Sequence, residues 1–426
     1  MSKVRFILVA LICESPAILL WDGLITRALV TGAVAAAMLI IVRALRPDET
    51  KFFVSIIPLL AATTAVPALW IIMQVLPLRA LAHPMWKSAE TALGHPLADT
   101  ISIDLGASVL ALGQYLSTIA VIFVSAAIAV DRRRAEWLLF ALTGACALIG
   151  VIVLIHVLLP SDSGLPPFVS APAIDCAALG IIIAGAAIIR AIERYETRRS
   201  SLTLLLRTFI ASSVALVICV LALLLGGAHQ VLIAAACGCA ALAWIKMVRR
   251  FAPSGLSFAF VAVLILIAAI FLTIFRPVER GKTLLLAFAT SSSVTTTASE
   301  RMLADAPLVG TGAGTFAAVL PIYRETIDDS QAGPVDATTA ATLAIELGEP
   351  MFWLIVAAAV TSIVFLFRAS LRRARDSYYP AMGVGCLVTL LLLAFNNGGL
   401  LETATSLIAA VALGLALAQT KSRIVE

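Results

Sequence analysis

ASVLALGQYLSTIAVIFVSAAIAV, residues 107–130, runs for 24 positions without one Lys, Arg, Asp or Glu, and Asp131-Arg132-Arg133-Arg134 follows at once. The hydrocarbon core of a bilayer is about 30 Å thick, so about 20 apolar helical residues cross it. The stretch therefore predicts a membrane-spanning helix, and the arginines after it predict the end that stays in the cytoplasm. Working outward, similar stretches centre on 6–21, 27–43, 53–76, 136–159, 173–191, 208–226, 229–246, 256–275, 349–368, 380–396 and 401–419. The expected fold is an all-α polytopic membrane protein with about twelve transmembrane helices.

Composition leads to the same class. Of 426 residues, 61% are apolar and 13% charged, with a mean hydropathy of +1.05; ordinary soluble domains carry about 25% charged and about 45–50% apolar residues. So little charge excludes a soluble enzyme, a disordered chain and a nucleic-acid binder, and the net charge of +5 is no nucleic-acid footprint. The lipid bilayer is the expected surrounding partner. The seven Cys lie nearly all in apolar stretches, as small hydrophobes do, and Cys237-Gly238-Cys239 has no companion His, Asp or Cys pair, so no metal site is expected.

With the N-terminus inside, the cytoplasmic segments collect 22 of the 30 Lys and Arg, and both termini are expected in the cytoplasm. The other eight are Arg27, Arg79, Lys87, Arg276, Arg280, Lys282, Arg301 and Arg324. Five of these fall between 276 and 348, the longest stretch without a span, and such loops are usually functional. The organisation read from this is nine helices in 1–275 with a smaller outside loop at 77–106, a large outside loop at 276–348, and three helices in 349–426. A short interfacial helix is expected near 85–93, with Trp70 and Trp86 in an aromatic belt.

Within the large loop, 284–289 is apolar and is expected to dip back toward the membrane interface. The hydroxyl-rich 291–297 reads as a linker or an N-cap for a short helix at 298–304. Then comes Leu308-Val309-Gly310-Thr311-Gly312-Ala313-Gly314-Thr315-Phe316. No Lys-Ser/Thr follows the last glycine and no strand precedes the first, which excludes a phosphate-binding P-loop and a dinucleotide fingerprint. Two readings remain: a tight turn in which Gly supplies positive φ, or backbone N–H groups of Gly312 and Gly314 facing an anion at the start of a helix over 315–323. Asp336 reads as the N-cap of the next helix, and Glu346 as a group that orients the loop or caps a neighbouring helix.

The run Asp305-Ala306-Pro307-Leu308-Val309-Gly310-Thr311-Gly312-Ala313-Gly314-Thr315-Phe316, then Tyr323-Arg324, then Ala344-Ile345-Glu346-Leu347-Gly348, resembles the large outside loop of the O-antigen ligase and polymerase family. Members show D-x-P-L-x-G-x-G-x-G-x-F and, later, E-x-G ahead of the next span. Trp86 and Ile101-Ser102-Ile103-Asp104 are similar to their stretch before an earlier span. The resemblance implies a GT-C-like transferase of the bacterial inner membrane with the large loop in the periplasm. It would need no metal or other cofactor and would move a glycan from a polyprenyl-pyrophosphate donor to a glycan or lipid-core acceptor, with polysaccharide-export proteins as further partners. It assigns the pyrophosphate to Arg280, Arg301 and Arg324, with Gly312 and Gly314. Where the family has a loop His, this chain has about Ala337-Thr338, and no His follows His229. The general base then falls to Asp336, with Glu346 beside it. Two alternatives stand: a catalytically silent relative that scaffolds polysaccharide export, which the missing His favours, and a polytopic transporter.

Overall fold

The structure, a computed structural model, describes residues 2–21, 23–44, 57–95, 99–159, 170–196, 202–251, 284–286, 288–290, 293–324, 337–373 and 376–420. These residues are helical throughout, joined by turns and short irregular connections. In chain order the helices are α1 Ser2–Leu20, α2 Leu24–Ala44, α3 Ile57–Val75, α4 Pro84–Leu93, α5 Leu105–Ala129, α6 Arg132–Leu158, α7 Ala171–Glu196, α8 Leu202–Leu225 and α9 His229–Phe251. They continue with α10 Ser293–Asp305, α11 Phe316–Tyr323, α12 Thr339–Leu347, α13 Glu349–Arg372, α14 Tyr378–Ala394 and α15 Thr403–Ala418. Among the described residues seven helices, α2, α5 to α9 and α13, are long and apolar enough to cross a membrane, and α1, α3, α14 and α15 contain shorter apolar stretches. The described residues are those of a helical membrane protein. The span expected at 256–275 lies outside the described residues.

Local signals set the helix starts. Asp104 caps α5 by accepting from Ala107 N at 3.0 Å, and Asp131 caps α6 by accepting from Arg133 N at 3.0 Å. His83 Nδ1 accepts from Met85 N at the start of α4, which Gly94 closes at φ +71°. Large apolar side chains on α2, such as Ile25, Leu29 and Leu39, point outward, as a lipid-facing helix requires. Inside, small residues let backbones approach closely. A Cβ on Gly180 would lie 2.7 Å from Cys146 Cβ, and one on Gly385 would lie 2.9 Å from Gly238 O.

The stretch between α9 and α13 has a core of its own. Leu285, Leu286, Ala298, Met302, Phe316, Leu320, Ala341, Ile345 and Phe352 form one buried cluster. Of the apolar residues at 284–289, Leu285 and Leu286 belong to this cluster and Phe288 is also buried. The hydroxyl-rich stretch is likewise more ordered than a linker. Helix α10 already begins at Ser293 because Thr295, Thr296 and Ser299 are buried, and Ser299 Oγ donates to Thr295 O at 2.8 Å. Helix α12 is capped by Thr338, whose Oγ1 accepts from Ala341 N at 3.1 Å, and not by Asp336. Asp336 itself lies outside the described residues.

Candidate functional site

The glycine run is the hub of this region. Gly310, Gly312 and Gly314 adopt φ of +81°, +112° and +78°, a region that costs an L-side chain about 1–2 kcal/mol. A Cβ on Gly312 would lie 2.8 Å from Ser102 Cα, and one on Gly314 would lie 2.9 Å from Ala107 O. Glycine is required here both for backbone conformation and for close approach.

The N–H groups of this run are all committed. Gly310 donates to Pro307 O (2.8 Å), Thr311 to Ile345 O (3.0 Å), Gly312 to Glu346 O (3.0 Å) and Thr315 to Gly312 O (3.3 Å). Ala313 N donates to Gln74 Oε1 (3.1 Å) and Phe316 N to Glu346 Oε1 (3.0 Å). Gly314 N–H also donates to the Glu346 carboxylate. So the seat for an anion at the start of α11 exists, and the chain's own Glu346 fills it. Gly312 and Gly314 act as turn residues whose N–H groups hold Glu346, which leaves none free for a phosphate. Glu346 takes the capping role.

Two further segments close the knot. Gln74, fully buried at the end of α3, donates through Nε2 to Val309 O (3.0 Å) and Glu346 O (2.9 Å). Ser102 N donates to Gln74 O (3.1 Å) and Ile103 N to Thr311 O (3.0 Å). Ser108 Oγ donates to Ala313 O at 2.8 Å. Trp70 Nε1 donates to Leu347 O (2.8 Å) and Trp86 Nε1 to Ser102 O (3.2 Å).

One face of the knot forms the wall of a cavity of about 390 Å³, lined among others by Arg27, Ile71, Gln114, Tyr115, Gly314, Glu346 and Glu402. An adjoining cavity of about 610 Å³ shares Arg27, Gln114, Gly314 and Ser406 and runs between α2, α5 and α15 past Leu24, Val30, Leu110 and Val121. Arg27 Nη2 meets Glu402 Oε2 at 3.1 Å. Burial raises the Glu346 carboxyl from its ordinary 4.5 to about 7, against the lowering effect of the two N–H groups from Gly314 and Phe316.

The expected site residues divide. Glu346, Gly312 and Gly314 come together, and Glu346 and Gly314 line the cavity. Arg301 is exposed on α10, and Arg324 follows α11 with Nε and Nη2 buried and without a hydrogen-bond partner among the described residues. Neither lines either cavity. Arg280 and Asp336 lie outside the described residues. Sequence reasoning missed Gln74 and gave Arg27 no role. The available signals were a lone Gln in an apolar helix and a cation in the first turn of the second helix. Among the described residues no group of three His, Cys, Asp or Glu side chains is placed to hold a metal ion. No protein-family model matches the chain, and no curated protein matches it.

Proposed function

We propose that the chain is a glycosyltransferase of the bacterial inner membrane, with about twelve spans, both termini in the cytoplasm and the 276–348 loop in the periplasm. It moves a glycan from a polyprenyl-pyrophosphate donor to a sugar acceptor in surface or exopolysaccharide assembly. The observation that carries this reading is convergence. Three of the stretches behind the family resemblance are far apart in sequence, and the run at 305–316 hydrogen-bonds both to 101–104 and to 344–348. They do so on the wall of a cavity that holds a carboxyl of raised pKa and an arginine, and that continues between apolar helices.

The chemistry asks for little else. An acceptor hydroxyl attacks the anomeric carbon, a carbon–oxygen bond to the acceptor forms, and the bond to the donor phosphate breaks as the pyrophosphate departs with the electron pair. Glu346, ionised above about pH 7, accepts the hydroxyl proton. Arg27 supplies positive charge to the departing phosphate from the same cavity, with Arg324 as a further cation of the loop. The alkyl chain of the donor lies along Leu24, Val30 and Leu110.

A silent scaffold is the second reading, favoured by the full use of Glu346 as a helix cap. The test is transfer by purified protein supplied with a polyprenyl-pyrophosphate glycan and candidate acceptors. Glu346→Gln keeps an oxygen to accept from Phe316 N–H but removes the base, so loss of transfer by about 100-fold or more is expected. Full activity of this variant refutes Glu346 as the base, and an inert wild type with intact polymer in cells lacking the protein refutes the transferase.

A further inference from the structure

We propose that the place where the two cavities meet is a subsite for a sugar ring, the one that the donor carries next to its pyrophosphate, and that Gln114, Thr118 and Ser406 select it. The inference deepens the transferase reading and rests on it. These three side chains, from α5 and α15, line both cavities, as Arg27 does. Gln114 Nε2 donates to Leu401 O at 2.5 Å. A carbonyl oxygen only accepts, so this contact fixes which end of the carboxamide is the nitrogen. The other end, Oε1, is accessible and has no partner among the described residues. Thr118 Oγ1 donates to Gln114 O at 3.0 Å, and Ser406 Oγ donates to Thr403 O at 3.0 Å.

Both hydroxyl protons are thus used within the helices, and what Thr118 and Ser406 keep is lone pairs. Gln114 adds a carbonyl oxygen and one remaining N–H. Tyr115, in the wall of the smaller cavity, gives its proton to Thr64 O at 2.9 Å. Glu346 and Glu402 are the carboxyls of the same wall. A set made mostly of acceptors repels phosphate oxygens and asks for a ligand that brings its own protons. A sugar ring does so: its hydroxyls donate to lone pairs, and one of them can also accept from the Gln114 N–H. Phosphate has one cation to meet here, because Arg27 is the single Lys or Arg in either wall. Pyrophosphate at Arg27 and a ring at Gln114, Thr118 and Ser406 therefore divide the space by chemistry. The ring then lies in a cavity that Glu346 also borders, as the transfer requires.

The experiment titrates the full-length protein in detergent with polyprenyl pyrophosphate and with the same lipid carrying one N-acetylglucosamine, whose hydroxyls and amide N–H are donors. Bound lipid is read by native mass spectrometry. The sugar-bearing lipid is expected to bind at least about 10-fold more tightly than the bare one. Thr118→Val keeps the shape and removes the lone pairs, and is expected to lower that preference about 3-fold or more; Gln114→Leu is expected to lower it about 10-fold. Ser117→Ala is the control: Ser117 lines only the larger cavity, so the preference should not change. The bare lipid reports on the fold, and its affinity is expected to stay within about 2-fold of wild type in every variant. Four results overturn the sugar subsite and leave the transferase reading standing. They are equal binding of the two lipids by wild type, an unchanged preference in Gln114→Leu or Thr118→Val, a parallel loss of both lipids in these variants, and a loss in Ser117→Ala equal to that in Thr118→Val. A wild type that binds neither lipid overturns the transferase reading, and the subsite with it.

Discussion

Replacing Glu346 by Gln isolates one buried carboxyl and should change stability and activity in opposite directions. The carboxyl is 6% exposed and ionises near 7 in the fold, against about 4.5 in the open chain. Between these values the unfolded chain gives up its proton first, so folding stability is lost as pH rises from about 4.5 to about 7. The shift corresponds to on the order of 3 kcal/mol. A carboxamide does not titrate, and its oxygen still accepts from Phe316 N–H. Glu346→Gln should therefore flatten this part of the pH profile and at pH 8 gain about 1–3 kcal/mol over wild type, after the cost of burying the amide NH₂. The measurement is thermal unfolding of both proteins in one detergent at pH 5, 6, 7 and 8, followed by tryptophan fluorescence. The difference between the two curves cancels every other titrating group. Parallel curves over the whole range mean that Glu346 is not the carboxyl held near 7, and the reasoning fails. A variant that is steadier at pH 8 yet inert in transfer is the signature of a group kept at a cost to stability for its chemistry.

Gly312→Ala combines a φ of +112° with a Cβ 2.8 Å from Ser102 Cα, and a loss of about 3 kcal/mol or more is expected. Gly144→Ala, where a Cβ meets nothing within 4 Å inside α6, should be neutral or gain about 0.5–1 kcal/mol, and equal losses in the two variants would remove the glycine argument. Gln74→Leu strands Val309 O and Ala313 N–H and takes one of two donors from Glu346 O, which keeps Gly312 N–H, so roughly 3 kcal/mol of stability should be lost, visible in denaturant or thermal unfolding. Arg27→Ala breaks an ion pair exposed at both ends (43% and 36%), so stability should move by less than about 1 kcal/mol. Its transfer rate at low donor concentration should nevertheless fall about 10-fold or more, and an unchanged rate would take Arg27 out of the phosphate seat.

Spans were legible because lipid imposes a one-dimensional rule: the uncharged run at 107–130 returns as α5, Leu105–Ala129, and the apolar run at 349–368 as α13, Glu349–Arg372. The short helix expected near 85–93 returns as α4 for a similar local reason, since His83-Pro84 starts it and Gly94 stops it. What stayed hidden depends on partners distant in sequence. Nothing near Gln74 announces that its amide joins Val309 and Glu346, and nothing near Arg27 announces Glu402, 375 positions away.

In the glycine run the glycines take positive φ, and the N–H groups of Gly314 and Phe316 meet a carboxylate of the chain itself. Three positive-φ glycines followed by a helix aim two N–H groups, those of Gly314 and Phe316, at one anion, while the others of the run meet backbone carbonyls or Gln74. Sequence order cannot say which anion arrives. Here the chain supplies it from Glu346, which stands 30 positions after Phe316 and reaches the seat because Thr311 N and Gly312 N donate to the Ile345 and Glu346 carbonyls and hold the end of α12 against the run. A substrate phosphate that took the same N–H groups would have to displace a buried carboxylate into apolar surroundings. The cheaper arrangement leaves Glu346 seated, its edge on the cavity, and meets the phosphate with arginine instead. That places positive charge, and not the glycine backbone, at the centre of any recognition of the donor.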